Sequence, residues 1–238
     1  MNANHAILTA EAHRELRIRT DRGADLGDAV MTSLVMPREF RDVQQHYPIV
    51  FRLDAARDSF TAHAVFGFET GENLFLEGDR WDADYLPLAI DIQPFLIGGA
   101  DAEGARQVHV DLASPRIAGA EGVRVFEPEG TPTPYLEAIA DKLGELDVSF
   151  GESADFFAAL RRYDLLEPLT LEVTLDDGST NRLVGFHVID EDRLRALDGA
   201  ALGDLHAAGH LMPIFMALAS LGNFRVLVGR KNERSRHG

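Results

Sequence analysis

The chain has 238 residues and a formal net charge of −16, with 45% hydrophobic and 26% charged residues and no cysteine. That balance is ordinary for a globular protein with a sizeable core. The absence of cysteine excludes disulfides, thiolate metal sites and a cysteine nucleophile, and the acidic field disfavours nucleic-acid and anionic-membrane partners. We expect no membrane insertion, because no apolar run nears the length of a spanning helix. The start "MNANHAILTAEAHRELRIRT" does not read as a secretory signal, so the expected location is the cytoplasm.

Residues 1–45 are polar and Arg-rich, punctuated by "DRGADLGD", and read as an N-terminal arm on a domain covering 46–230. "YPIVFRLD" (47–54), "FTAHAVFGFE" and "NLFLEG" read as three strands of an antiparallel meander. "WDADYLPLAIDI" reads as a helical turn stopped near Gln93-Pro94, followed by the strands "PFLIGG" and "QVHVDL".

Thr133 is a candidate N-cap with Pro134 at the first helical position. Leu136, Ile139, Ala140, Leu143 and Leu146 recur at helical spacing, and Ser153 is a candidate cap of a second helix carrying Phe156, Phe157 and Leu160. "LTLEVTL", the turn "DDGS" and "NRLVGFHVID" form the clearest hairpin. Asp190 is a candidate cap for the helix of Leu194 and Leu197. "HLMPIFMALASLG", apolar nearly all round, predicts a buried helix ended by Gly222-Asn223; "FRVLVG" reads as a last strand, and 231–238 as a frayed basic tail. Strands, then helices, then a hairpin and more helices, without βαβ alternation, predict an α+β fold: one large domain with a mainly antiparallel sheet and helices packed on it.

Three constellations carry candidate chemistry. His109 and Asp111 lie two apart on a strand and, with His187, match the residue types of a non-heme iron site: Fe(II) with 2-oxoglutarate, whose carboxylate Arg193 could meet. The opposing reading makes Asp111 a brace of the "ASPR" turn, paired with Arg116. His206 and His210 share the i, i+4 spacing of a zinc pair, but Gly209 and Pro213 predict a helix boundary inside it, which favours surface or capping roles. "GENLFLEGDRWDADYLP" (71–87) gathers Glu72, Asn73, Trp81, Asp82, Asp84 and Tyr85 either as a peptide- or carbohydrate-binding groove or as a core-plugging junction. No Walker loop, GxGxxG after a strand, GxSxG or HExxH occurs.

The blocks "HYPIVF", "FGFETGENLFLEGDRWDADYLPL", "PFLIGG", "VHVDLASPR", "TPTPYLEAI" and "LVGFHVIDEDRLRAL", in this order, resemble the SapC family of bacterial proteins. The resemblance is to the branch found beside flavin-dependent tryptophan-halogenase-like proteins and TonB-dependent receptors, and the family name comes from an association with a surface layer. It brings no catalytic residue set. The leading expectation is a non-enzymatic accessory protein of a surface-layer, outer-membrane uptake or halogenase-linked system, with no cofactor and a peptide or protein segment as partner. Glu72, Asn73, Trp81, Asp82, Asp84, Tyr85, Asp111 and Arg116 are the candidate binding surface. The alternatives are a modifying enzyme using His109, Asp111 and His187, and a structural surface-layer component.

Overall fold

The structure is a computed structural model that describes residues 4–54, 58–100 and 106–237. Its first strands are β1 (His5–Ile7), β2 (Arg17–Ile18), β3 (Thr32–Val35), β4 (Ile49–Asp54), β5 (Ser59–Val65), β6 (Leu76–Glu77) and β7 (Arg80–Trp81). The later ones are β8 (Phe95–Ala100), β9 (Arg106–Asp111), β10 (Ile117–Ala118), β11 (Val123–Arg124), β12 (Leu166–Thr174) and β13 (Thr180–Ile189). The helices are α1 (Ala10–His13), α2 (Phe40–Val43), α3 (Leu88–Asp91), α4 (Pro134–Arg162), α5 (Glu191–Arg195), α6 (Gly199–Ala207), α7 (Leu211–Ser220) and α8 (Phe224–His237). Every strand pairing is antiparallel, so the chain has the expected α+β class.

Its packing gathers into two compact units: 1–29, 76–82 and 88–148 form the first, and 30–75, 83–87 and 149–238 the second. In the first, β1–β9–β8 form one sheet and β10–β2–β11 another. Ile18, Phe95, Val110, Val125 and Phe126 pack with Leu136, Ile139 and Leu143 from one face of α4, the spacing read from the sequence. Thr133 caps that helix, its Oγ1 accepting from the Leu136 N–H at 3.3 Å.

The second unit is built on the sheet β12–β13–β4–β5–β3. Phe40, Phe51, Phe156 and Phe157 form one edge-to-face cluster and Tyr47, Phe66 and Phe75 another. Residues 30–45, read as arm, place β3 on the sheet edge, with Thr32 opposite Val65 and Val35 opposite Ala62. "NLFLEG" is therefore not the third strand of the meander; only Leu76 and Glu77 pair, and they pair with β7.

The two helices expected in 133–162 are one. Ser153 caps nothing, because its hydroxyl donates to the Phe150 carbonyl one turn back and leaves the helix intact. "FRVLVG" is helical: α7 runs through a 3-10 turn into α8, whose Leu227 is fully buried. The basic tail is ordered helix through His237, with Lys231 bound to Glu72 (2.6 Å) and Glu69 (3.0 Å) and Arg234 to the Asn73 carbonyl. α7 is not buried all round, since Met212 and Phe215 are more than half exposed. Leu211–Arg236 is long and apolar enough to cross a membrane by length and composition alone, with 28% of its apolar window buried; Asn223 and Arg225 interrupt the apolar run, so the sequence pattern does not predict it.

Candidate functional site

The segment "DLASPR" folds as two successive side-chain-capped turns. Asp111 Oδ1 accepts from the Ala113 N–H (3.0 Å) and Ser114 Oγ from the Arg116 N–H (3.2 Å). These local bonds leave the Asp111 carboxylate on its own turn and send the Arg116 side chain inward, where it is 1% exposed. The expected Asp111–Arg116 brace therefore does not form. Arg116 instead pairs with Asp28, whose carboxylate is fully buried. Nothing in the pattern of "DRGADLGD" singled out Asp28, because a pairing across 88 residues leaves no local periodicity.

The outer side of this turn lines a cavity of about 520 Å³. Its walls are Leu26 and Gly27, the run Gln93–Leu96, and Asp111 with Ala113, Ser114 and Pro115. Two prolines, Pro94 and Pro115, stiffen the wall, and Phe95 is anchored in the core behind it. Gly27 lies at φ 93°, a left-handed conformation open to glycine, and stands 4.0 Å from Pro115 Cγ at its Cβ position. The surface is largely apolar with Asp111, Ser114 and Gln93 as its polar groups, the composition of a recognition cavity.

The segment 71–87 is divided between the units, with Trp81 and Asp82 in the first and Glu72, Asn73, Asp84 and Tyr85 in the second. Their polar groups hold the fold. Asn73 Oδ1 accepts from the Phe75 N–H, Glu72 takes Lys231 and the Phe68 N–H, and the Tyr85 hydroxyl donates to Glu39. Trp81 is half-buried opposite Leu76, Asp82 lies 3.5 Å from Arg80, and Asp84 is exposed.

His109 and Asp111 belong to the first unit and His187 to the second; among the described residues no three His, Asp or Glu side chains gather to hold a metal. The His109 ring lies on β8, so close to Gly98 that a Cβ there would stand 2.1 Å from its Cδ2 and Nε2. His187 sits opposite Phe51 in the sheet with its ring edge-on to Phe60 at 5.1 Å. Arg193 is engaged by Asp164 and Asp190. His206 lies in α6 and His210 at the N-cap position of α7, with Gly209 at φ 74° between them, the expected boundary. Burial holds the His210 imidazole below its usual pKa against the opposing pull of Asp155.

The sequence profile of the SapC family matches residues 8–227, nearly the whole chain. The chain belongs to the SapC family. No curated protein and no solved structure matches it. In this SapC-family chain the "VHVDLASPR" block thus supplies a strand, a doubly capped turn, a buried arginine and one wall of a cavity.

Proposed function

We propose that this SapC-family chain is a non-enzymatic accessory protein that holds a peptide or protein segment, serving a surface-layer, outer-membrane uptake or halogenase-linked system. The reading rests on the 520 Å³ apolar cavity beside the "DLASPR" turn. An apolar hollow with a few fixed polar groups suits an apolar side chain flanked by main-chain amides, which Asp111, Ser114 and Gln93 can meet with acceptors and a donor. The cavity replaces 71–87 as the primary surface, since the side chains of 71–87 named above largely brace the fold.

The test is selection from a displayed library of random peptides on the full chain, repeated on Ala113→Trp. Ala113 is an exposed residue of the cavity wall, so the indole fills the cavity without disturbing the core. The expected result is a recurrent apolar motif with the wild type and its loss with the variant at an unchanged melting temperature. No recurrent motif, or equal capture by both proteins, overturns the proposal.

A further inference from the structure

Lys and Arg number 23 against 39 Asp and Glu in this chain, yet three cations gather with two carboxylates at a second, smaller cavity of the first unit. The Arg116 Nη1 donates to the carbonyls of Asp21 (2.8 Å) and Arg19 (3.2 Å), and Nη2 to Asp28 Oδ1 (2.5 Å). Arg22 stands between the acids, 3.7 Å from Asp28 and 2.9 Å from Asp91. Lys142 reaches the other oxygen of Asp91 at 2.5 Å. The cavity holds about 250 Å³, and Arg22, Asp91, Gln93, Arg116, Tyr135 and Lys142 are among its lining residues.

Two features separate this cluster from a plain structural brace. A brace needs one cation per carboxylate, whereas Arg22, Arg116 and Lys142 against Asp28 and Asp91 leave one positive charge over. Arg19, also on the wall, lies beside Asp21 and Asp25, whose side chains are 61% and 73% exposed and screened by water, so the surplus belongs to the five bonded groups and not to the wall as a whole. Second, the Arg116 Nε–H is buried and has no hydrogen-bond partner, although its side chain lines the cavity. A buried donor left unmade costs about 1–3 kcal/mol. The local field agrees: burial, and then the neighbouring Arg116 charge, pull the Arg22 guanidinium below its usual pKa. The Tyr135 hydroxyl, pushed up to about 12 by burial, is protonated at neutral pH like any tyrosine and so is available as a donor.

We propose that this cavity binds a monoanionic carboxylate, which neutralises the surplus charge and accepts from the Arg116 Nε–H, with Lys142 and Tyr135 as further donors. One surplus charge matches a carboxylate and leaves a phosphate dianion uncompensated. The volume suits a small acid or the last residue of a peptide. Gln93 lines both cavities, but Arg116, Lys142 and Tyr135 line only this one, so each proposal stands without the other.

The experiment is a titration of the 15N-labelled full chain at pH 7 and constant ionic strength, following the arginine Nε–H signals. The Arg116 signal is assigned by its absence in Arg116→Lys; if that variant fails to fold, assignment comes from the wild type by triple resonance. Propionate is expected to shift this signal saturably, acetamide to leave it in place, and inorganic phosphate to act only at higher concentration. Lys142→Gln, at a partly exposed position, is expected to weaken propionate at least tenfold with an unchanged melting curve. A tripeptide with a free C-terminus that competes where its amide does not places the carboxylate at a chain end; competition by neither assigns a free acid. An equal response to acetamide, tighter binding of phosphate, or undiminished affinity in Lys142→Gln overturns the proposal.

Discussion

Arg116 Nη2 meets Asp28 Oδ1 at 2.5 Å across 88 residues of sequence, with both side chains at most 1% exposed. A buried pair of this kind is costly to break from one side, because the surviving charge has no water to turn to. Asp28→Asn and Arg116→Met are each expected to lower the unfolding free energy by about 3–5 kcal/mol. The double variant should lose less than the sum, as urea unfolding of all four proteins will show. Strict additivity would mean that the two groups do not interact energetically.

The packing of His109 on Gly98 predicts a directional rescue. A Cβ at Gly98 would overlap the imidazole at 2.1 Å, so the half-buried ring would have to leave its place on the strand. Gly98→Ala should therefore destabilise by about 1–3 kcal/mol through overpacking, whereas in a His109→Ala background the same change should be nearly neutral. Equal losses in both backgrounds, measured by thermal or urea unfolding, would remove the contact as the cause.

His63 predicts a specific acid sensitivity. Burial, and secondarily Arg52, lower its pKa to about 4 from 6.5. Between those values the unfolded chain binds a proton that the folded chain does not, so stability rises with pH across about 4 to 6.5 and falls on acidification. The full span corresponds to on the order of 3 kcal/mol. Unfolding measured at pH 7 and pH 5 should show a drop that His63→Leu largely abolishes, the window above pH 5 keeping most carboxylate titrations out of view.

Lys231 ties the C-terminal helix to the loop carrying Glu69 and Glu72. Burial draws the ammonium pKa down, but its bonds to these carboxylates outweigh that and leave it raised. Lys231→Met should cost about 1–2 kcal/mol and raise hydrogen exchange in α8. Unchanged exchange there would show that the other contacts of the helix, Leu227 in the core and Arg234 on the Asn73 carbonyl, hold it without Lys231.

Much of this architecture is written in short-range pattern. The β-branched run of β4, the alternation of Leu169, Leu171 and Val173, the Thr133-Pro134 start of α4 and the Asp190 cap each depend on neighbours within a few residues, so they are visible one segment at a time. The family, likewise, is carried by the order of such blocks.

Tertiary structure decided what local preference leaves balanced. Val226 and Val228 suit a strand, yet the segment is helical, with Leu227 in the core and the basic residues beyond it meeting the Glu69–Asn73 loop. Gly151 and Ser153 could divide a helix, yet α4 runs through them. Arg116 was legible as a residue of interest beside its turn, but its partner Asp28, its unmatched Nε–H and the surplus charge with Arg22 and Lys142 arise only when distant loops and α4 close around one cavity. Electrostatic pairing acts through space and carries no period along the chain, so the strands and turns were set out in advance while the composition of the charged cavity was not.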